Sequence, residues 1–128
     1  MYVEYAGGMK FVVHHRDLAL VTDQPLDQGG ENTAMTPAEV FIASLGACVG
    51  VYVVAFAKRH DIALEGMRIE IAYDVVEGPR RAGHVKVEVR LPEPVSAEHR
   101  AALQRAAETC FVHNSLRHPP EVEITVGW

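Results

Sequence analysis

The longest apolar run in the chain, Val40–Ala57 (VFIASLGACVGVYVVAFA), carries no charged residue. Thr36, Pro37 and Glu39 precede it and Lys58 and Arg59 follow it. Thr36 suits an N-cap, Pro37 the first helical position, and Glu39 completes a T-x-x-E capping box. The two cations suit the negative end of a helix dipole. These features predict one long helix from Thr36 to about Arg59. Arg68–Glu77 and His84–Leu91 instead alternate apolar and polar residues, which predicts paired strands with one buried face. EGPRRAG is the turn between them, and Pro92 and Pro94 stop the second strand. Residues 2–22 read as short strands, among them Lys10–His14 and Leu18–Thr22, punctuated by Gly7-Gly8 and His15–Asp17. A polar loop, DQPLDQGGENTAM, separates them from the long helix. Ser96 is placed to cap a second helix from Ala97 to about Cys110, with Ala101, Leu103, Ala106 and Ala107 on its apolar positions. Pro119-Pro120 then closes a short segment, and Glu121–Val126 alternates as a final strand. The order β-β-β-α-β-β-α-β predicts an α+β fold in one domain covering residues 1–128.

The length of the apolar run approaches that of a membrane span. Gly46, Gly50 and Ser44 interrupt it, and its start is capped in the manner of a helix that begins in water. The surrounding alternating strands belong to a water-exposed fold. No membrane role is therefore expected. A helix apolar on every face has to be covered on every face. A chain of 128 residues has little else to cover it with, so a second copy is the economical cover and a homodimer is expected. Gly46 and Gly50, four residues apart, would admit a closely packed helix.

Charge narrows the function classes. The net charge is −5, and no basic stripe stands out, so nucleic acid is not an expected partner. The N-terminus MYVEYAGGMKF lacks the basic and apolar regions of a secretory signal, which points to a cytoplasmic protein. In that reducing setting two cysteines are not expected to form a permanent structural disulfide. The seven histidines form no metal constellation. His14 and His15 are adjacent and face opposite sides of a strand, and Cys110-x-x-His113 lacks further ligands, so no metal and no cofactor are expected. Gly29-Gly30 lies in a polar loop rather than after a strand and does not read as a phosphate site.

The candidate chemistry lies in the two thiols, Cys48 in the long helix and Cys110 at the end of the second helical run. They can meet only through folding. A pair that meets suits one thiol that attacks and one that resolves. The segment TPAEVFIASLGAC (36–48), with CFVHNSL (110–116) downstream, resembles the family of osmotically inducible protein C and organic hydroperoxide resistance protein. The resemblance extends through the order of elements. It implies an OsmC-like fold with two central helices against antiparallel sheets, in an intertwined homodimer. It also implies a thiol peroxidase that reduces organic hydroperoxides. On this resemblance Cys48 is the peroxidatic cysteine and Cys110 the resolving one. Arg16, in HRDLALVTD, is the cation that holds the thiolate, and Glu39 orients that arginine. The implied reductant is a dithiol, lipoyl or thioredoxin-like.

The chain departs from the family pattern at two places. Ala38 follows Pro37 where hydroperoxide reductases usually carry Glu, and Phe111 follows the second cysteine where Pro is common. Glu39 has a purely local use as the capping-box residue. Asn114 and Ser115 suit backbone capping after the second helix better than substrate contact. Phe41, Leu45 and Phe56 would suit an apolar peroxide tail and equally a plain core. Two alternatives to the peroxidase stay open: a redox-sensing or ligand-binding member of the same fold, and a dimer with inert core thiols.

Overall fold

The computed structural model describes all residues, 1–128. In chain order it holds β1 (Tyr2–Tyr5), β2 (Phe11–His15), β3 (Leu18–Thr22), α1 (Pro37–Arg59), β4 (Arg68–Val76), β5 (Arg81–Arg90), α2 (Ala97–Glu108) and α3 (Phe111–Arg117). The fold is α+β, with an antiparallel sheet β1-β2-β3 and an antiparallel pair β4-β5. The chain divides into two compact units, Met1–Ala43 and Ser44–Trp128. Helix α1 starts in the first and continues through the second.

The first unit is a meander followed by a tied loop. Tyr2 opposes His14 in β1-β2, and His15 opposes Leu18 in β2-β3, leaving Arg16 and Asp17 as a two-residue turn. Arg16 has φ of 55°, the left-handed conformation that tight hairpins demand and glycine usually supplies. After β3 the loop wraps around Asp23, which has no exposed surface. Its carboxylate accepts from the backbone amides of Gln24 (2.8 Å), Glu31 (3.2 Å) and Thr33 (3.0 Å), and from the Thr33 hydroxyl (2.7 Å). The Gln24 carbonyl accepts from Asn32 N at 3.0 Å, and it leaves no room beside Gly30. A Cβ built on Gly30 would stand 1.9 Å from that oxygen.

Helix α1 opens with the expected capping box. Thr36 Oγ1 accepts from Glu39 N at 3.1 Å, and Glu39 Oε2 accepts from Thr36 N at 2.8 Å. Its buried positions recur at helical spacing: Ile42, Leu45, Val49, Val53 and Ala57. In the second unit Gly46 and Gly50 seat α1 against β4 rather than against another helix. A Cβ on Gly46 would lie 2.3 Å from Ile71 Cδ1, and one on Gly50 2.9 Å from Ile69 Cδ1. The core of this unit gathers Leu45, Val49 and Val53 of α1, Leu103 of α2, and Cys110. The inward residues of β5, Val85, Val87 and Val89, pack against it as the alternation predicts. The opposite face of α1 is open, with Phe41 and Val51 exposed.

Three expectations change here. The strand expected from His84 begins at Arg81, so Arg81 and Ala82 pair with Val76 and Val75 instead of joining the turn. The second helix does not reach Cys110. It ends at Glu108, because Thr109 takes the Ala106 carbonyl with both its amide (3.2 Å) and its hydroxyl (2.8 Å). The chain then restarts as α3, a helix that the Pro119-Pro120 boundary left unread. Glu121–Val126 keeps its alternating pattern but is not a strand within this chain. A strand needs a hydrogen-bonded neighbour, and this segment has none, so Val122, Ile124 and Val126 stand exposed.

Two tests follow from the first unit. Gly30→Ala forces the Gln24 carbonyl to move, and overpacking against backbone costs about 1–3 kcal/mol, so its unfolding midpoint should fall by several degrees in a thermal melt. The Thr33 amide holds the Asp23 carboxyl down, and the Thr33 hydroxyl and the Gln24 and Glu31 amides assist it, against burial. It falls from the ordinary 3.8 to about 2. A depressed carboxyl stabilises the fold above its unfolded value and loses that contribution as pH falls through the folded value. Thermal melts should therefore decline between pH 3.8 and about 2, and Asp23→Asn should remove that decline while lowering stability at neutral pH.

Candidate functional site

The second unit brings Cys48 and Cys110 together. Cys48 sits in the middle of α1, on the border between its buried stripe and its open face, and is partly exposed. Cys110 has no exposed surface and lies in the core cluster against which Cys48 packs. Both thiols are free. Cys110 is the N-cap of α3, with φ −66° and ψ 148°, and its Sγ accepts from His113 N at 3.3 Å. Cysteine here takes the place that Ser or Asp usually fills, offering sulfur to a backbone amide that has no partner within the helix.

Burial pushes the Cys110 thiol above its usual range. The His113 amide opposes that rise, the neighbouring Cys48 thiol adds to it, and the Val112 amide opposes it further. Cys110 is therefore a neutral thiol at neutral pH. No cation acts on it, because its partners are only amides and the other thiol.

The side chains after Cys110 serve the backbone. Asn114 Nδ2 donates to the Thr109 carbonyl at 3.1 Å, and Ser115 Oγ donates to the Phe111 carbonyl at 2.8 Å. His113 Nδ1 donates to the Glu108 carbonyl at 2.7 Å. The Asn114 and His113 bonds fasten the α2–α3 corner and hold Cys110 in register. The capping use expected of Asn114 is the one the structure shows, while Ser115 bonds a carbonyl one turn back within α3.

Two openings lie in this unit. A trough of about 940 Å³ runs among Val49 and Val53 of α1, Val87 and Val89 of β5, and Leu103 of α2, with His113 also on its wall. A second cleft, of about 570 Å³, is lined by Tyr52, Phe111, Asn114, Ser115 and His118. Tyr52 is one helical turn beyond Cys48, on the same side of α1, and Phe111 directly follows Cys110. Neither residue was singled out as a lining group from the sequence, although the i, i+4 spacing of Cys48 and Tyr52 was the available signal. Of the three apolar residues considered for a peroxide tail, Leu45 is core, Phe56 stacks on His60 at 4.0 Å, and Phe41 is exposed.

Arg16 and Glu39 belong to the first unit. Arg16 is exposed at the β2-β3 turn and forms no ion pair or hydrogen bond within the chain. Glu39 spends its carboxylate on the Thr36 amide. The chain does not pair these two side chains.

The α+β scaffold that carries the two thiols is shared with known proteins. The OsmC-like protein family matches residues 30–125, and the chain belongs to that family. Several solved structures share the fold. A Psychrobacter arcticus 273-4 protein named for osmotic stress induction and detoxification response superposes with a TM-score of 0.82 at 23% identity, over 89% of this chain and 85% of its own. An organic hydroperoxide resistance protein OsmC of Legionella pneumophila gives 0.68 at 25% identity, over 91% and 88%. An OsmC-like protein of Mycoplasma pneumoniae gives 0.72 at 13%, over 86% and 80%. Among curated proteins no significant match exists.

The difference in burial has a direct readout. Brief treatment of the reduced, native protein with iodoacetamide should label Cys48 at least about tenfold faster than Cys110. Cys110 should become reactive only on unfolding. Equal labelling of both would mean that the α2–α3 corner opens freely.

Proposed function

We propose that this protein is a thiol-dependent peroxidase for organic hydroperoxides, acting in defence against oxidative stress. The observation that carries the proposal is the contact of a partly exposed thiol, Cys48, with a fully buried one, Cys110. The Legionella relative is named an organic hydroperoxide resistance protein, which agrees with this chemistry.

The Cys48 thiolate attacks the peroxide oxygen distal to the organic group. The O–O bond breaks, the organic oxygen leaves and is protonated to an alcohol, and Cys48 becomes a sulfenic acid. Cys110 then attacks that sulfur, water leaves, and a Cys48–Cys110 disulfide forms. A dithiol, lipoyl or thioredoxin-like, returns both thiols by exchange. The organic group is proposed to lie along the apolar side of the trough, Val49, Val53 and Leu103, whose other lining includes Glu88, Arg100 and Gln104.

A thiolate beside a buried core needs a cation. Arg16 is the proposed source. It is permanently charged and unpaired, and the β2-β3 turn presents it at the surface. The working state is proposed to be a cytoplasmic homodimer. The open face of α1 and the unpaired Glu121–Val126 segment both present apolar surface that a second copy would cover. Glu39 is proposed to act mainly as the cap of α1, with any hold on Arg16 secondary.

A second reading has one observation in its favour. With Ala38 after Pro37 and Glu39 engaged as a cap, nothing in this chain fixes Arg16. A redox-sensing or ligand-binding protein would cycle its thiols without needing Arg16 held for turnover.

Consumption of cumene hydroperoxide and hydrogen peroxide with a dithiol reductant separates the two. The peroxidase reading expects preference for the organic peroxide and loss of turnover in Cys48→Ser. It expects a single oxidation without cycling in Cys110→Ser, and roughly 100-fold slower turnover in Arg16→Ala. A folded, fully reduced wild type that consumes neither peroxide would sink it in favour of the sensor.

A further inference from the structure

The proposed cycle ends with a disulfide that a reductant must open, and the two sulfurs are not equivalent. In thiol–disulfide exchange the entering thiolate attacks the sulfur it can reach in line with the S–S bond, and the other sulfur departs. Access favours Cys48, which is partly exposed, over Cys110, which has no exposed surface. The Tyr52–Phe111 cleft opens one turn from Cys48 along α1, and Tyr52 is its wall on that helix. Departure is divided: the His113 amide points at Cys110 Sγ from 3.3 Å and would hydrogen-bond the thiolate as it forms, while burial opposes that thiolate, so access decides between the two sulfurs. Asn114 and His113 clamp the corner that aims this amide, through the Thr109 and Glu108 carbonyls.

From this asymmetry we infer that the reducing dithiol attacks Sγ of Cys48 and that Cys110 is the leaving group. The inference rests on the Cys48–Cys110 disulfide of the proposed reaction. In the first step a dithiol thiolate bonds to Cys48 Sγ, the protein S–S bond breaks, and its electron pair leaves on Cys110 Sγ, which then takes up a proton. In the second step the remaining thiol of the reductant, as thiolate, attacks its own sulfur bound to Cys48. That S–S bond breaks, Cys48 leaves as a thiolate, and the reductant departs as a cyclic disulfide. Two electrons pass from the dithiol to the protein disulfide. Cys48 is thus released in the ionised form that the next peroxide requires. The thiol that meets the peroxide also meets the reductant, while Cys110 only closes and opens behind it.

The test uses the wild-type protein and bypasses peroxide. Diamide converts the reduced protein to its internal disulfide. A short exposure to 2-mercaptoethanol, acid quenching, alkylation of free thiols and peptide mapping by mass spectrometry then locate the mixed disulfide. The expected result is the mercaptoethanol adduct on Cys48 with alkylated Cys110, favoured at least roughly tenfold over the reverse. Adduct mainly on Cys110, or equally on both, overturns the inference and leaves the peroxidase reading intact. Failure of diamide to produce the internal disulfide overturns both.

Discussion

The close seat of α1 on β4 is the contact on which the rest of the molecule depends. Gly46 and Gly50 remove two side chains from the helix face, and Ile71 and Ile69 fill the space. An extra carbon at Gly46 would reach well inside van der Waals contact with Ile71. The usual cost of glycine within a helix, about 1 kcal/mol each, is offset by apolar burial against the sheet. Once this face is fixed, helical periodicity turns Leu45, Val49 and Val53 inward and leaves Cys48 on the margin. A chemical group at a margin is held rigidly yet can be reached, which is what a nucleophilic thiol needs.

The second thiol is positioned by different physics. Cys110 is not carried on the body of a helix. It sits in the corner between α2 and α3, where α2 has run out of partners and α3 has unfilled amides. Thr109, His113, Asn114 and Ser115 all bond backbone carbonyls around it. The corner is therefore over-determined, and the sulfur is both buried and hydrogen-bonded. Burial alone makes a thiol inert, and an amide alone makes it merely a cap. Their combination gives a sulfur that stays neutral at rest and has a donor waiting when it takes charge.

The apolar surface left open calls for a cover. Phe41 and Val51 on α1, and Val122, Ile124 and Val126 at the C-terminus, stand in water in the isolated chain. Such residues are tolerable singly but costly in groups. The homodimer proposed for this protein would relieve that cost, and it would give the unpaired C-terminal segment the neighbour that strand formation requires.

Much of the fold was legible because it is written locally. The T-x-x-E capping box, the alternation over Arg68–Glu77 and His84–Leu91, the Ser96 cap and the two thiols are all features of neighbouring residues. The resemblance carried by residues 36–48 and 110–116 pointed to the family that matches residues 30–125. What remained unread depended on partners distant in sequence. Gly46 and Gly50 read as room for a close helix, and packing gave that room to β4. Asp23 looked like an ordinary loop residue until the chain folded back over ten residues to give it four donors. Glu121–Val126 has the pattern of a strand, but pattern cannot supply the second strand of a ladder. The sequence by itself determined where the two thiols lie along the chain and most of the elements that hold them. Tertiary structure alone decided which thiol is buried, which is reachable and which amide faces the sulfur, because access and hydrogen-bond direction arise only when distant segments meet.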